Sequence, residues 1–285
     1  MLAGRGGCAL PARQDAAMAD RSAQARRLHA LHHAARPLLL FNAWDAGSAK
    51  AVADGGADAL ATSSWAVAAA HGLPDGEQLP LQATLDVVAR IAAACELPLT
   101  VDLERGHGDP AAAVRHAITA GAVGANLEDG LANAHLRPAE EQAALLAQAR
   151  AAAAAAGMPA FFLNARTDLF LQHSRDAHDG ALLDQALARA RAYADAGADG
   201  FFAPGLVDAG SIEALVRGCP LPVNIMVMPG CPPFAELAKL GVARVSHGPG
   251  PYLAAMQALA TAFAHAREAV GRPDRTQTES ARSAG

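Results

Sequence analysis

Apolar and polar positions alternate along this chain in one repeated rhythm. A short run rich in Val, Leu, Ile or Phe gives way to an alanine-rich stretch with helical spacing, and the unit then recurs. The apolar runs span 37–44 (PLLLFNAW), 57–64 (ADALATSS), 98–104 (PLTVDLE), 122–129 (AVGANLED), 160–166 (AFFLNAR), 198–205 (ADGFFAPG), 222–229 (PVNIMVMP) and 242–249 (VARVSHGP), eight in all. Helical stretches lie at 80–95, 109–121, 137–156, 181–197 and 232–240, and another follows the last run at 251–270. Short apolar runs bounded by turn residues read as buried strands. Strands alternating with helices predict a parallel sheet, and eight such units predict a closed (β/α)8 TIM barrel. The competing arrangement is a doubly wound open sheet, but no GxGxxG follows the first run. Gly56, Gly121, Gly157, Gly197 and Gly241 each stand where a helix must stop before the next strand, the position that favours the left-handed conformation.

The chain has 285 residues, of which 52% are hydrophobic, enough for one large domain with a sizeable core. We expect residues 1–19 to be a disordered N-terminal extension, with Met18 a candidate start, residues 20–270 to form the catalytic barrel, and 271–285 to be a disordered tail. The formal net charge is -5 and no long basic run occurs, which argues against nucleic acid as a partner. No apolar run approaches the length of about 18 residues that a membrane span requires. Residues 1–19 are interrupted by Arg5, Arg13, Gln14 and Asp15, unlike a signal peptide. Cys8, Cys95, Cys219 and Cys231 form no CxxC pair and read as free thiols in a reducing compartment, so the expected location is cytoplasmic. His29, His32 and His33 sit in a basic helical segment and read as solvated.

In a barrel of this kind the chemistry lies at the C-terminal ends of the strands. The polar residues collect there. Asn42 and Asp45 end the first run, Ser63 and Ser64 the second, and Asp102 and Glu104 the third. Asn126, Glu128 and Asp129 end the fourth, Asn164, Arg166 and Asp168 the fifth, Asn224 lies on the seventh, and Ser246 and His247 end the eighth. Strand side chains alternate with period two, so Asp102 shares a face with Glu104, Asn126 with Glu128, and Asn164 with Arg166. Three carboxylates at one barrel mouth repel one another unless a cation or protons sit among them. An all-oxygen set favours Mg2+, with Mn2+ as the substitute, over zinc. Asp102, Glu104 and Glu128 are therefore the metal candidates; the competing reading pairs them with Arg105, Arg137 or Arg166.

Arg166 can hold a substrate carboxylate with its planar fork, or form an ion pair with Glu128. Ser63, Ser64, Trp65, Asp102, Arg166 and Asn224 are the substrate-binding candidates. Arg166, Glu128, Asp75 and His247 are the catalytic ones. The stretch from Ser64 to Leu79, punctuated by Gly and Pro, reads as a lid over the mouth. Asp75 on it serves either chemistry or the turn, and His247 is either a proton donor or a structural residue. Asp45 reads as a helix N-cap.

These residues come in the segments FNAWDAGSAK (41–50), TSS (62–64), HGLPDGE (71–77), VDLERGHGD (101–109), NLEDG (126–130), NARTD (164–168), AYADAGADGFFAPG (192–205) and GVARVSHGPG (241–250). In this order, across about residues 30–265, the chain resembles the isocitrate lyase/phosphoenolpyruvate mutase superfamily. The resemblance implies a (β/α)8 barrel whose last helix is often exchanged between subunits in a tetramer of paired dimers, so a homo-oligomer, dimer or tetramer, is expected. It implies Mg2+ held directly by Asp102, with Glu104 and Glu128 helping largely through water. It implies that Ser63, with the backbone at Ser64 and Trp65, binds a carboxylate or phosphonate, that Arg166 binds substrate, and that Asp75 rides on the gating loop.

The departures from the family pattern narrow the activity. The lyases that cleave isocitrate and methylisocitrate carry K-K-C-G-H after L-E-D, whereas GLANAHLRP stands at 130–138 here, without cysteine. The phosphonomutases carry lysine directly after L-E-D, an asparagine on a longer loop, and a histidine near the sixth strand end. Here Gly130 replaces the lysine, only Asn133 stands in for the asparagine, and Ala203-Pro204-Gly205 ends the sixth run. Glu104 stands where the second metal-site aspartate is expected. The first expectation is thus a Mg2+-dependent lyase that breaks a C–C bond beside the carbonyl or hydroxyl of a small 2-oxo or 2-hydroxy acid through an enolate. Its substrate would be a small carboxylic acid. The alternative is a C–P bond enzyme, and a third reading is a binding barrel without turnover.

Overall fold

The structure is a computed structural model that describes residues 10–132 and 135–269, with side chains from Met18 to Glu268. Eight short parallel strands run β1 (Leu38–Leu40), β2 (Leu60–Ala61), β3 (Leu99–Asp102), β4 (Gly124–Glu128), β5 (Phe162–Arg166), β6 (Gly200–Phe202), β7 (Val223–Met226) and β8 (Arg244–Ser246). Each lies inside one of the eight apolar runs. They pair in the order β1-β8-β7-β6-β5-β4-β3-β2, and a parallel bridge between Ala43 and Thr62 joins the two ends into a (β/α)8 TIM barrel. No helix among the described residues is long and apolar enough to cross a membrane.

The helices are α1 (Leu10–His32), α2 (Ala46–Asp54), α3 (Ser64–Ala70), α4 (Leu81–Ala94), α5 (Pro110–Ala120), α6 (Ala139–Ala155), α7 (Gly180–Asp195), α8 (Ala209–Gly218), α9 (Phe234–Lys239) and α10 (Gly250–Ala269). Asp45 caps α2 in a reciprocal box with Ser48, as its position before the helix predicts. All five predicted helix-stop glycines have positive φ. Gly121 is the most constrained, since at φ +110 an added Cβ would also lie 2.6 Å from Ala92 Cβ.

The N-terminal segment departs from expectation. Residues 10–19, assigned to a disordered extension, form the first part of α1; residues 1–9 and 270–285 lie outside the described residues. His32 is buried, not solvated. Its ring stacks on Phe162 at 3.9 Å, His29 meets the same ring edge-on, and Leu28 packs where Gly124 leaves room. Burial pulls the His32 imidazole down to about 3, so it stays neutral at the barrel's N-terminal opening. Helix α1 thereby plugs that end.

Inside the barrel, strand register stacks side chains in layers. Gly124 pairs with Phe162, Asn126 with Asn164, and Glu128 with Arg166. The plug, a polar middle layer and a charged mouth follow one another along the barrel axis.

Candidate active site

A cavity of about 180 Å3 opens at the charged end, lined by Asn42, Ser63, Ser64, Trp65, Asp75, Asp102, Asn126, Arg166, Leu171, Phe202, Met226, Ser246, Gly248 and Pro249. Of the predicted site residues, Ser63, Ser64, Trp65, Asp75, Asp102 and Arg166 meet in it. Glu104 and Glu128 stand behind them. Asn224 and His247 do not reach it.

Asp102 ends β3 and is nearly buried. Its Oδ2 accepts from the Ser64 hydroxyl (2.9 Å) and backbone N–H (3.3 Å), while its own N–H donates to Thr62 Oγ1 (3.0 Å). Its Oδ1 is buried and accepts no hydrogen bond. A buried carboxylate oxygen without a donor is where a cation fits.

Glu104 corrects the period-two argument. The strand stops at Asp102, and Glu104 takes φ +51 in a tight turn continued by Gly106, His107 (φ +50) and Gly108. The left-handed backbone, not strand alternation, returns its carboxylate to the mouth. Such outliers in non-glycine residues cluster at functional sites. Burial, with Asp102 and Asp75 nearby, pushes Glu104 up to about 7.

Arg166 pairs through Nη1 with Glu128 Oε2 (2.8 Å), places the same nitrogen 3.9 Å from Asp102 Oδ2, and forks onto Asp168 through Nε (2.6 Å) and Nη2 (3.2 Å). The ion pair with Glu128 and a cavity-facing role are thus both present. Burial works against the guanidinium's charge, yet Glu128, Asp168 and Asp102 hold it above its usual range. Burial drives Glu128 up to about 8; Arg166 opposes this, while Asp168, Asp102 and Glu104 add to it.

Among the described residues no group of three or more His, Cys, Asp or Glu side chains is arranged as a ready metal cage. The predicted trio therefore does not converge as three direct ligands. Glu104 Oε2 accepts from the Glu77 N–H (2.6 Å) and Glu128 is held by Arg166, which leaves Asp102 Oδ1 as the open oxygen. One direct carboxylate with two more behind it fits Mg2+, an ion that keeps several waters.

The expected lid is partly helical, because α3 takes its first half. Segment 71–80 folds down on the mouth. Glu77, at φ +63, accepts from the His107 N–H (2.7 Å) and Arg105 Nε (3.1 Å), and Arg105 Nη2 donates to Gly76 O (2.9 Å). Asp75 is thereby held in the cavity, where burial and Asp102 raise its carboxyl above the usual range.

The remaining two candidates turn elsewhere. Ser246 faces inward, so its neighbour His247 faces outward. The His247 ring lies 5.0 Å from Phe41, and the residue's backbone N–H donates to Asn42 Oδ1 and Leu40 O. Asn224 sits beneath the cavity and accepts from the Ser246 hydroxyl (3.1 Å). Asn133 lies outside the described residues.

Gly130 explains a departure from the family pattern. A Cβ there would lie 2.5 Å from Asp168 Oδ2, so any side chain displaces the carboxylate that clamps Arg166. A family model described as phosphoenolpyruvate phosphomutase matches residues 28–267. The chain belongs to the isocitrate lyase/phosphoenolpyruvate mutase superfamily. Within it, a crystal structure of a candidate phosphonomutase from Burkholderia cenocepacia J2315 is 50% identical, covers 86% of this chain and 99% of that one, and has a TM-score of 0.83. An uncharacterized protein of Mycobacterium tuberculosis (strain ATCC 25618 / H37Rv) is 37% identical over 85% of this chain and 88% of its own. Oxaloacetate decarboxylase of Bradyrhizobium sp. (strain BTAi1 / ATCC BAA-1182) is 33% identical over 69% of this chain and 68% of its own.

Two features of this superfamily barrel escaped the sequence reading. Asp129 is fully buried and accepts from Tyr193 OH (2.7 Å), Arg189 Nη1 (3.0 Å) and the Asp168 N–H (2.9 Å). It anchors the residue that clamps Arg166. Arg244, at the start of β8, is buried inside the barrel. Its only sequence signal is an arginine at an inward-facing position of an apolar run.

Proposed function

We propose that the protein is a Mg2+-dependent lyase that breaks the C3–C4 bond of a small 2-oxo diacid of the oxaloacetate type, one carbon out from the 2-oxo group, so that carbon dioxide leaves and the bonding electrons pass onto the 2-oxo oxygen as an enolate. The observation that carries this reading is the open, buried Oδ1 of Asp102 beside Arg166 at a small cavity. Mg2+ held through Asp102, with Glu104 and Glu128 behind, would act as a Lewis acid on the 2-oxo and carboxylate oxygens. Arg166 contributes fixed positive charge toward the oxygen on which negative charge develops, and Asp168 and Glu128 keep its fork from reorienting. Ser63 and Trp65 hold the far carboxylate. Asp75, held in the cavity lining, is placed to deliver the proton that quenches the enolate carbon, a role the outward His247 ring does not serve. Segment 71–80, clasped through Glu77, keeps bulk water from the carbanion.

The 50% identity to a candidate phosphonomutase favours C–P chemistry as the second reading. Against it, the cavity is anionic. Asp75 and Asp102 line it beside Arg166, whose fork is engaged by Asp168 and Glu128, and Gly130 has no room for a lysine. A phosphonate therefore finds little cationic support. Mg2+-dependent pyruvate release from oxaloacetate, dimethylmalate-like and methylisocitrate-like acids and phosphonopyruvate tests the choice. Oxaloacetate-type acids are expected to give the highest kcat/KM; phosphonopyruvate as the best substrate would establish the second reading.

We also propose that the working form is a homo-oligomer. Leu253, Met256, Leu259 and Phe263 form an exposed apolar stripe on α10, and Phe263 is 67% exposed. A separate hollow of about 440 Å3 on the barrel's outside is lined by Leu39, Phe41 and Val52. A second copy's α10 supplies a matching apolar surface. Light scattering should give a dimer or tetramer, and Leu259→Asp/Phe263→Asp should shift it toward monomer.

A further inference from the structure

Beneath the cavity lies a cation that the reaction above does not use. Arg244 is 1% exposed, and no carboxylate among the described residues comes within ion-pairing distance of it. Burial pushes its guanidinium down to about 9, with Asp102 opposing the shift. A buried cation without a salt bridge costs several kcal/mol. What Arg244 touches is therefore informative. It donates through Nε to Ser246 Oγ (3.2 Å) and through Nη2 to Asn126 Oδ1 (3.3 Å). Asn164 Nδ2 donates to the same Asn126 oxygen (2.9 Å), and the Ser246 hydroxyl passes its proton on to Asn224 Oδ1.

Arginine has donors only, so its contact decides which end of the Asn126 amide faces down. The oxygen is held below by two donors. The amide nitrogen is then the end that Asn126 turns to the cavity it lines. Strand register sets Asn126 beside Asp102. An unclamped asparagine could flip and present its carbonyl, which would repel an anionic ligand. In a site crowded with carboxylates, a fixed N–H donor supplies attraction without adding charge.

We propose that Arg244 is a positioning residue that locks Asn126 with its amide N–H toward the cavity, and that Asn126 Nδ2 donates to an anionic oxygen of the bound 2-oxo acid or its enolate. The proposal rests on the enolate reading of this cavity and adds the group that recognises one of its oxygens.

Calorimetry on the full chain, with Mg2+ titrated first and oxalate then titrated onto the Mg2+-loaded protein, tests it. Asn126→Ala and Arg244→Lys should each weaken oxalate binding at least about tenfold, the scale of a hydrogen bond to a charged group. Mg2+ affinity should stay within about twofold. Arg244→Lys keeps the charge, so its loss reports geometry. Because Arg244 acts through Asn126, the double variant should bind oxalate no more weakly than Asn126→Ala alone. If Arg244→Lys weakens oxalate equally on both backgrounds, or Asn126→Ala binds it like wild type, the proposal is overturned. Should Arg244→Lys fail to fold, Asn126→Asp, of the same shape but without the amide donor, must lose at least as much as Asn126→Ala. Wild-type affinity in either of these variants overturns the proposal. Wild type that binds no oxalate with Mg2+ overturns the enolate reading and this proposal together; wild type that binds it, with an additive cycle, overturns this proposal alone.

Discussion

Two groups of buried carboxylates lie within one strand's length of each other, and they behave differently. At the flank, Asp129 is fully buried, yet Tyr193, Arg189 and the Asp168 backbone supply its oxygens with donors. Burial raises its pKa, but these hydrogen bonds and the Arg189 charge oppose the rise. At the mouth, Asp102 keeps an oxygen without any donor, and Glu104 and Glu128 are both pushed toward neutral by burial and by the Asp102 carboxylate. Burial alone therefore does not mark a working acid. A carboxylate with complete partners serves the fold, and one left incomplete awaits something the chain does not itself provide.

The sharpest way to break this contrast is to neutralise one member of each group. Asp102→Asn should lower turnover of the best diacid by at least about a hundredfold. It should also abolish measurable Mg2+ binding while leaving the melting temperature unchanged or slightly raised, because a repelling charge is removed. Unchanged Mg2+ affinity by calorimetry would remove Asp102 from the metal site. Asp129→Asn should do the reverse. Losing one partner of a buried pair costs about 3 kcal/mol, roughly 6–12 °C in a domain of this size. Its Mg2+ affinity should be unaffected, and a loss of metal binding without a loss of stability would show that the two groups are not distinct.

The pH dependence of the metal-free protein sharpens the comparison further. Glu104 and Glu128 titrate near 7 and 8 in the fold and near their ordinary values when unfolded. Between those limits the native state binds more protons than the unfolded one, so stability falls as pH rises from about 4.5 to 8. Scanning calorimetry should show a lower melting temperature at pH 8 than at pH 6, and Mg2+ should stabilise more at pH 8. A melting temperature that rises over this range would contradict the repulsion. The smallest effect concerns the clasp. Glu77→Gln removes the Arg105 ion pair, worth about 1 kcal/mol. It should speed proteolysis within 71–80, with Mg2+ plus oxalate restoring protection; wild-type cleavage rates would show that Glu77 does not hold the segment.

Much of this was legible in the sequence. Every strand lies within an apolar run, because strands buried on both faces, as β3, β4, β6 and β8 are, read as continuous apolar stretches. The polar strand ends marked Asp102, Glu128 and Arg166 because a barrel gathers them at one mouth. What stayed hidden depends on backbone detail or on distant partners. Glu104 reaches the site through a left-handed turn that alternation does not foresee. His247 faces outward because strand β8 ends at the inward Ser246. His32 looked solvated among basic neighbours, since nothing local announces that Phe162, far along the chain, will stack on it. Arg244 resembles any surface arginine until the barrel closes around it.

The α1 plug makes the barrel a blind alley. With His32 and Leu28 stopping the far end, anything that enters or leaves the cavity shares one doorway, and segment 71–80 lies across it. Traffic is then sequential. On the proposed reading, an ion held by Asp102 would have to enter before the acid that covers it, and the product would have to leave before that ion could exchange. Steady-state kinetics should then show metal-first ordered binding, with the doorway setting the pace whenever bond cleavage is fast.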